Sequence, residues 1–170
     1  LPSVLQLVSR NIPSGLNLGN FAGGGIIPGA LEALQRAIHG PENYQKVREI
    51  LSSVTKPRSG YPFDHRMIAS EMSSNAEQAP TTILSKDGIP QAAYQLESRP
   101  DGTMLSYLLG MQKGAGASAL EDAYHAAAQK PVYLHAVPGS EGFYRKQKAW
   151  TEVDDDGIPK FIRKAHGGII

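Results

Sequence analysis

Leu105-Ser106-Tyr107-Leu108-Leu109-Gly110-Met111-Gln112-Lys113-Gly114-Ala115-Gly116-Ala117, running into an alanine-rich segment that ends near Gln129, is the stretch that decides the fold. An apolar, strand-like run that stops at a two-glycine turn and opens directly into a helix presents free backbone N–H groups at a positive helix end. Such an end is suited to an anion. Glycine lets the backbone approach a diphosphate without a Cβ in the way, the N–H groups of residues 112 to 117 can point at it, and Lys113 adds a point charge. Taken locally, the same residues also fit an ordinary strand-to-helix connection. Working outward, a buried-looking strand follows at Val132 to Val137, and a short helix opened by Ser140 carries the pair Phe143 and Tyr144.

The chain has 170 residues, enough for one ordinary domain with a single core. A hydrophobic content of 41% with 19% charged residues belongs to a soluble globular protein. No apolar run reaches the roughly 18 residues that a membrane helix needs. The 17 basic and 16 acidic residues are interspersed and leave a net charge of +1, so nucleic acid is not indicated as a partner. There are no cysteines, which removes disulfides, thiolate nucleophiles and cysteine-ligated zinc. The sequence starts at Leu1 without a basic, apolar leader, and reads as a processed or excised cytoplasmic chain with no membrane partner.

Residues 1 to 29 read as a loop-rich segment with one short strand at Leu5, Leu7 and Val8, broken by Pro13, Gly15, Gly19, Gly23 to Gly25, Pro28 and Gly29. From Ala30 the stripe Leu31, Leu34, Ile38 predicts a helix that stops at Gly40-Pro41. Tyr44, Val47, Ile50, Leu51 and Val54 predict a second helix, running to Lys56-Pro57. Asp64 is placed to cap a third through Met67, Ile68 and Met72. After Pro80 the period changes to two. Asp87-Gly88, Asp101-Gly102 and Asp156-Gly157 are hairpin turns between strands near 81–85, 89–98, 103–111, 149–153 and 158–164. The fold class is α/β in the α+β sense: a mixed, mostly antiparallel twisted sheet flanked by helices. Residues 80–170 form its core, and 1–79 a divergent N-terminal part of the same domain.

This order of meander, glycine turn, helix, strand, Phe-Tyr helix and closing hairpin resembles the GCN5-related N-acetyltransferase (GNAT) family over residues 80 to 165, about half of the chain. The family's phosphate-binding pattern is Arg or Gln, two variable residues, Gly, any residue, then Gly or Ala. Gly114 and Gly116 match its small positions, Gln112 and Lys113 fill the variable ones, and Met111 stands where Arg or Gln leads. The resemblance implies acetyl-CoA as cofactor, with its diphosphate on Gln112, Lys113, Gly114, Ala115, Gly116 and Ala117. It also implies a first strand of the turn that splays from the strand 132–137, so that the pantetheine arm pairs with backbone groups of Leu109 and Met111. Departures follow the second strand: Pro138 to Gly142 fill the place of the family's Asn, and the Gly-aromatic end of the motif reads Ala149-Trp150.

By the same resemblance Tyr144 stands near the cofactor sulfur, where a phenol with a reference pKa of about 10 can protonate the leaving thiolate. An attacking amine needs a base, and Glu97 in a central strand, His135 in the strand flanking the thioester, or a water chain all remain open. The implied activity is transfer of an acetyl group from acetyl-CoA to a primary amine by direct attack in a ternary complex. The alternative is a non-catalytic CoA-binding or protein-interaction module that keeps the fold. The acceptor is a small-molecule or protein amine, and a homodimer is left open. Ala115, Ala119, Ala123 and Ala127 read as helix-on-sheet core, Glu152 to Asp156 as a turn and no metal site, and Lys160, Arg163 and Lys164 as a solvated strand face. Glu121 and His125 lie one helical turn apart and can pair.

Overall fold

The computed structural model describes residues 34–54, 64–127 and 130–165. Its framework is a seven-stranded sheet in the order β1-β2-β3-β4-β5-β7-β6. The strands are β1 (Gln35–His39), β2 (Thr81–Lys86), β3 (Ile89–Arg99), β4 (Gly102–Gly110), β5 (Val132–His135), β6 (Thr151–Asp155) and β7 (Ile158–Arg163). Every neighbouring pair is antiparallel except β4 and β5, which are parallel. Parallel neighbours need a crossover, and helix α3 (Ala115–Ala126) supplies it. The mixed, mostly antiparallel architecture expected from the turn spacing is therefore the one observed.

Two of the three Asp-Gly pairs form the hairpin turns their sequence predicts. Asp87 and Gly88, like Asp156 and Gly157, both have positive φ, as a two-residue turn between twisted strands requires. The third turn shifts by one residue. Pro100 and Asp101 make it, and Gly102 already pairs with Arg99 as the first residue of β4, because proline's fixed φ suits the leading turn position. Helices α1 (Tyr44–Leu51) and α2 (His65–Asn75) lie where expected, and the Asp64 carboxylate accepts the Arg66 N–H at 2.9 Å to cap α2. Helix α4 (Glu141–Arg145) follows Ser140, whose hydroxyl donates to the Val137 carbonyl at 2.7 Å instead of capping the helix.

The helix predicted from Leu31, Leu34 and Ile38 is corrected over its described part: residues 35–39 are strand β1, paired with β2 from Gln35 opposite Ser85 to His39 opposite Thr81. A three-residue stripe is a weak helix signal beside a full row of sheet hydrogen bonds and a tertiary ion pair at Arg36. The expected strand at Leu5, Leu7 and Val8 lies outside the described residues. The helix expected to run through Val54 to Lys56 ends at Leu51, with Ser52 as its C-cap, and the one expected to reach Gln129 ends at Ala126. The strand expected to run to Val137 ends at His135.

The sheet has two covered faces. Leu84, Ala92, Tyr94 and Leu105 pack beneath α3 with Ala115, Ala119, Ala123, Val132, Leu134, Tyr144 and Phe161, and Ala127 lies partly buried beside them. Ile83, Ala93 and Leu109 pack on the opposite side against Val47, Leu51, Ile68 and Met72 of α1 and α2. Gln95, wholly buried, ties α2 to the sheet by donating to the Met72 carbonyl (2.9 Å) and Thr81 Oγ1 (2.8 Å) and accepting from Asn75 (2.8 Å). On the α3 side, buried Asp122 accepts from Arg36 Nε (3.0 Å), Arg36 Nη2 (2.5 Å) and the Tyr94 hydroxyl (2.7 Å). This junction fastens edge strand β1, central strand β3 and α3 to one carboxylate. Arg163, expected on a solvated face, instead lies flat on Tyr124, 3.7 Å from the ring centroid, and pairs with Glu121 at 2.8 Å; the expected Glu121–His125 contact forms at 2.8 Å.

Removing one member of a buried ion pair leaves the other charge uncompensated, which costs more than the pair itself contributes. Asp122→Ala is therefore expected to lower unfolding stability by about 3–5 kcal/mol in urea titration. The double variant Arg36→Met/Asp122→Leu, which removes both charges, is expected to recover most of that loss.

Candidate functional site

β4 and β5 run side by side only briefly. Thr103 pairs with Val132 and Met104 with Tyr133, the Thr103 N–H donates to the Pro131 carbonyl at 2.9 Å, and beyond these contacts the two strands separate. A bulge lies close by. Gln95 of β3 lies opposite Tyr107 and Leu96 opposite Leu105, so Ser106 is the extra residue in β4, two residues after Met104, the last to pair with β5.

Past the bulge, strand alternation decides which backbone groups face the opening. The Met111 N–H donates to the Gln91 carbonyl at 2.8 Å, and Ala93 lies opposite Leu109, so residues 107, 109 and 111 direct their backbone groups toward β3. Leu108 and Gly110 direct theirs toward the gap. This corrects the expectation for Leu109 and Met111. The Leu109 side chain is buried on the α1–α2 side, and Met111 packs at the edge of the same cluster.

The gap opens into a cavity of about 550 Å³. β4 lines it from Leu105 to Leu108 and at Gly110, and the glycine turn lines it through Lys113, Gly114, Gly116 and Ala117. β5 contributes Leu134 and His135, the segment before α4 contributes Val137, Gly139 and Ser140, α4 contributes Phe143 and Tyr144, and Lys146 follows at its C-cap. His65 and Ile68 of α2 complete the wall. Gly114 precedes α3 at φ 82°, ψ −10°, a left-handed conformation that glycine adopts without strain. Gly116 sits beneath the Phe143 ring, where an added Cβ would lie 3.5 Å from it.

Two of the turn's expected N–H donors are already used: Gln112 donates to Gln91 and Ala115 to Gln112. The N–H groups in the first turn of α3 have no intrahelical acceptor, and Gly116 and Ala117 carry two of them into the cavity wall. Lys113 and Lys146 bring two positive charges to the same wall. With a glycine cradle, a positive helix end, two ammonium groups and an open strand edge in one cavity, the residues fit a ligand that carries phosphates at one end and amide groups along its length.

Tyr144 is buried at 9% exposure, with its ring 4.9 Å from Phe143 and 5.4 Å from Phe161 between centroids. Burial pushes its hydroxyl well above the usual phenol pKa, so the group stays protonated across the physiological range. His135 reaches the cavity with its Nε2 2.8 Å from Asp155 Oδ2. Glu97 stands back from the wall, where it accepts hydrogen bonds from Ser106 (2.6 Å), Asn75 (3.2 Å) and Arg99 (2.7 Å). The Ser106 hydrogen bond, with help from Asn75 and Arg99, holds its pKa below the usual carboxylate range against partial desolvation.

Sequence reasoning located the turn, Tyr144 and His135, and missed Ser106, Leu108, Gly110, Lys146, His65 and Ile68. Lys146 carried a legible signal, a cation two residues after Tyr144 at the end of the same short helix. His65 and Ile68 carried none, because α2 meets the cavity only through tertiary packing.

No protein-family model and no curated protein sequence matches the chain. Its structure is similar to that of an N-acetyltransferase from Staphylococcus aureus Mu50, with a TM-score of 0.55 at 10% identity over 78% of this chain and 98% of the other. It is also similar to an acyl-CoA N-acyltransferase from Pseudomonas aeruginosa, with a TM-score of 0.52 at 16% identity over 77% and 99% of the two chains. An IAA acetyltransferase from Bacillus cereus ATCC 14579 aligns with a TM-score of 0.51 at 12% identity over 78% and 99%. With its splayed parallel pair, its glycine turn and these neighbours, the chain has the GCN5-related N-acetyltransferase fold.

Proposed function

We propose that this chain is an N-acyltransferase that moves an acetyl group from acetyl-CoA to a primary amine by direct attack. The observation that carries the reading is the meeting, in one cavity, of the open β4 edge with the Gly114 turn at the end of the same strand. Bound there, acetyl-CoA supplies an activated thioester. Gly114, Gly116 and Ala117, with Lys113 and Lys146, would hold its diphosphate. Leu108 would pair through its backbone with the pantetheine arm, the role first expected of Leu109 and Met111.

Catalysis on such a scaffold is mostly positioning, since no cysteine offers an acyl-enzyme route. Tyr144 is the proton donor to the leaving sulfur. Burial keeps its phenol protonated, and so ready to donate, across the pH range in which activity is measured. Glu97 and His135 are the two groups able to take the amine's proton. A non-catalytic CoA-binding module is the alternative, and acetyl-CoA binding with no turnover of any amine would favour it.

Saturating acetyl-CoA, at about 100 times Kd, is expected to raise the melting temperature by about 5–10 °C, and no shift at millimolar concentration would sink the reading. Ala117→Glu puts a negative charge at the exposed mouth of the turn. It should leave the unliganded melting temperature nearly unchanged while abolishing the acetyl-CoA shift. Tyr144→Phe is expected to lower kcat about 10²-fold with the acetyl-CoA shift preserved; an unchanged kcat would remove Tyr144 from its role.

A further inference from the structure

The acid and the donor site leave open how the amine's proton reaches a base, because neither oxygen of Glu97 belongs to the cavity wall. Ser106 belongs to it. The bulge just beyond the β4–β5 pairing leaves Ser106 without a partner in β3, and its hydroxyl turns to Glu97 Oε2 at 2.6 Å. That hydroxyl has one proton and two lone pairs. Once the proton is directed at Glu97, a lone pair is left to accept from a donor in the cavity.

The carboxylate behind it is held still. Glu97 Oε2 also accepts from Asn75 Nδ2 at 3.2 Å, and Oε1 accepts from Arg99 at 2.7 Å. Asn75 is fixed in turn, since its Nδ2 donates to the wholly buried Gln95. The Glu97 side chain keeps 26% exposure, which gives it a route to solvent. A serine on the wall backed by a fixed, partly solvated carboxylate has the geometry of a two-step proton wire.

Resting on the transferase reading above, we propose that Ser106 is the group that touches the attacking amine and that Glu97 acts through it as the proton acceptor. As the nitrogen bonds to the acyl carbon, its N–H bond breaks and that proton passes to Ser106 Oγ. The serine's own proton passes to Glu97 Oε2, so the serine ends unchanged and the carboxylate ends neutral. The C–S electron pair leaves on sulfur, which takes its proton from Tyr144. Glu97 then releases its proton to solvent, and Tyr144 regains one from solvent, which balances the cycle.

The low basicity of Glu97 does not defeat the wire, because the nitrogen becomes strongly acidic as it acylates. The charged and titratable groups facing Glu97 are Arg99 on its own strand, Tyr107 on β4 and Tyr133 on β5, with Glu71 of α2 reaching Tyr107 and Asp101 reaching Tyr133. Arg99 favours the carboxylate form and draws the acid limb downward. The two tyrosines stay neutral over the range in which activity is measured.

The test uses the full chain with acetyl-CoA and three primary-amine probes: benzylamine, spermidine and a lysine-containing peptide, the fastest being carried forward. Ser106→Ala and Glu97→Gln are each expected to lower kcat about 10²-fold with the acetyl-CoA melting shift intact. Ser106→Thr, which keeps the hydroxyl, is expected to retain most of the activity. The double variant should be no slower than either single one, because the two groups act as a unit. In Glu97→Gln the acid limb of the kcat profile should vanish while the limb set by the free amine stays. Near wild-type kcat in Ser106→Ala, or losses that multiply in the double variant, would overturn the wire while leaving acetyl-CoA binding and the transferase reading in place. Wild-type chain that binds acetyl-CoA but acylates none of the probes would overturn the transferase reading and the wire together.

Discussion

Everything that makes this chain more than a twisted sheet depends on a hydrogen-bonding constraint between β4 and β5. The two strands share only the register from Thr103–Val132 to Met104–Tyr133. A strand in mid-sheet ordinarily satisfies both of its edges, and an unmet row of N–H and C=O groups away from water is costly. Here β4 turns its second edge at Leu108 toward a gap wide enough to become a cavity rather than a flaw in packing.

The surrounding elements hold the gap open from both sides. β5 is fixed by β7, with which it pairs through all four of its residues, so it is not free to slide back toward β4. β4 is fixed along β3 and buries Leu109 against the α1–α2 layer. The α3 crossover, anchored by Asp122 to Arg36 and Tyr94, sets where the first turn of that helix lies above the opening. Polar chemistry then gathers along the cavity wall. Cations stand at Lys113 and Lys146, while Ser106, with Glu97 behind it, lies where the strands part. Tyr144 is kept neutral by burial from Phe143 and Phe161.

The parts of the site that were legible in the sequence are those whose cause is local. A glycine turn between an apolar strand and an alanine-rich helix is readable because φ near +80° and a bare helix end are properties of a few consecutive residues. Asp-Gly pairs announce hairpins for the same reason, and Asp64 announces the start of α2. The one described element read in the wrong class, β1, shows the limit. Its residues carry a thin helical stripe, and only pairing with β2 and the reach of Arg36 to Asp122 make it a strand.

By itself, then, the sequence determined the element types around the turn, the mixed sheet, the glycine turn at a bare helix end and the place of Tyr144 beside it. Tertiary structure alone decided that Leu108 and Gly110, rather than Leu109 and Met111, face the opening. It also decided that Ser106 is the bulge that connects Glu97 to the cavity, and that His65 and Ile68 of α2 close the wall. The physical reason is register. A one-residue difference in strand pairing reverses which edge every N–H and C=O points toward, and that register is set by packing between segments far apart in the chain, not by the residues of β4 alone.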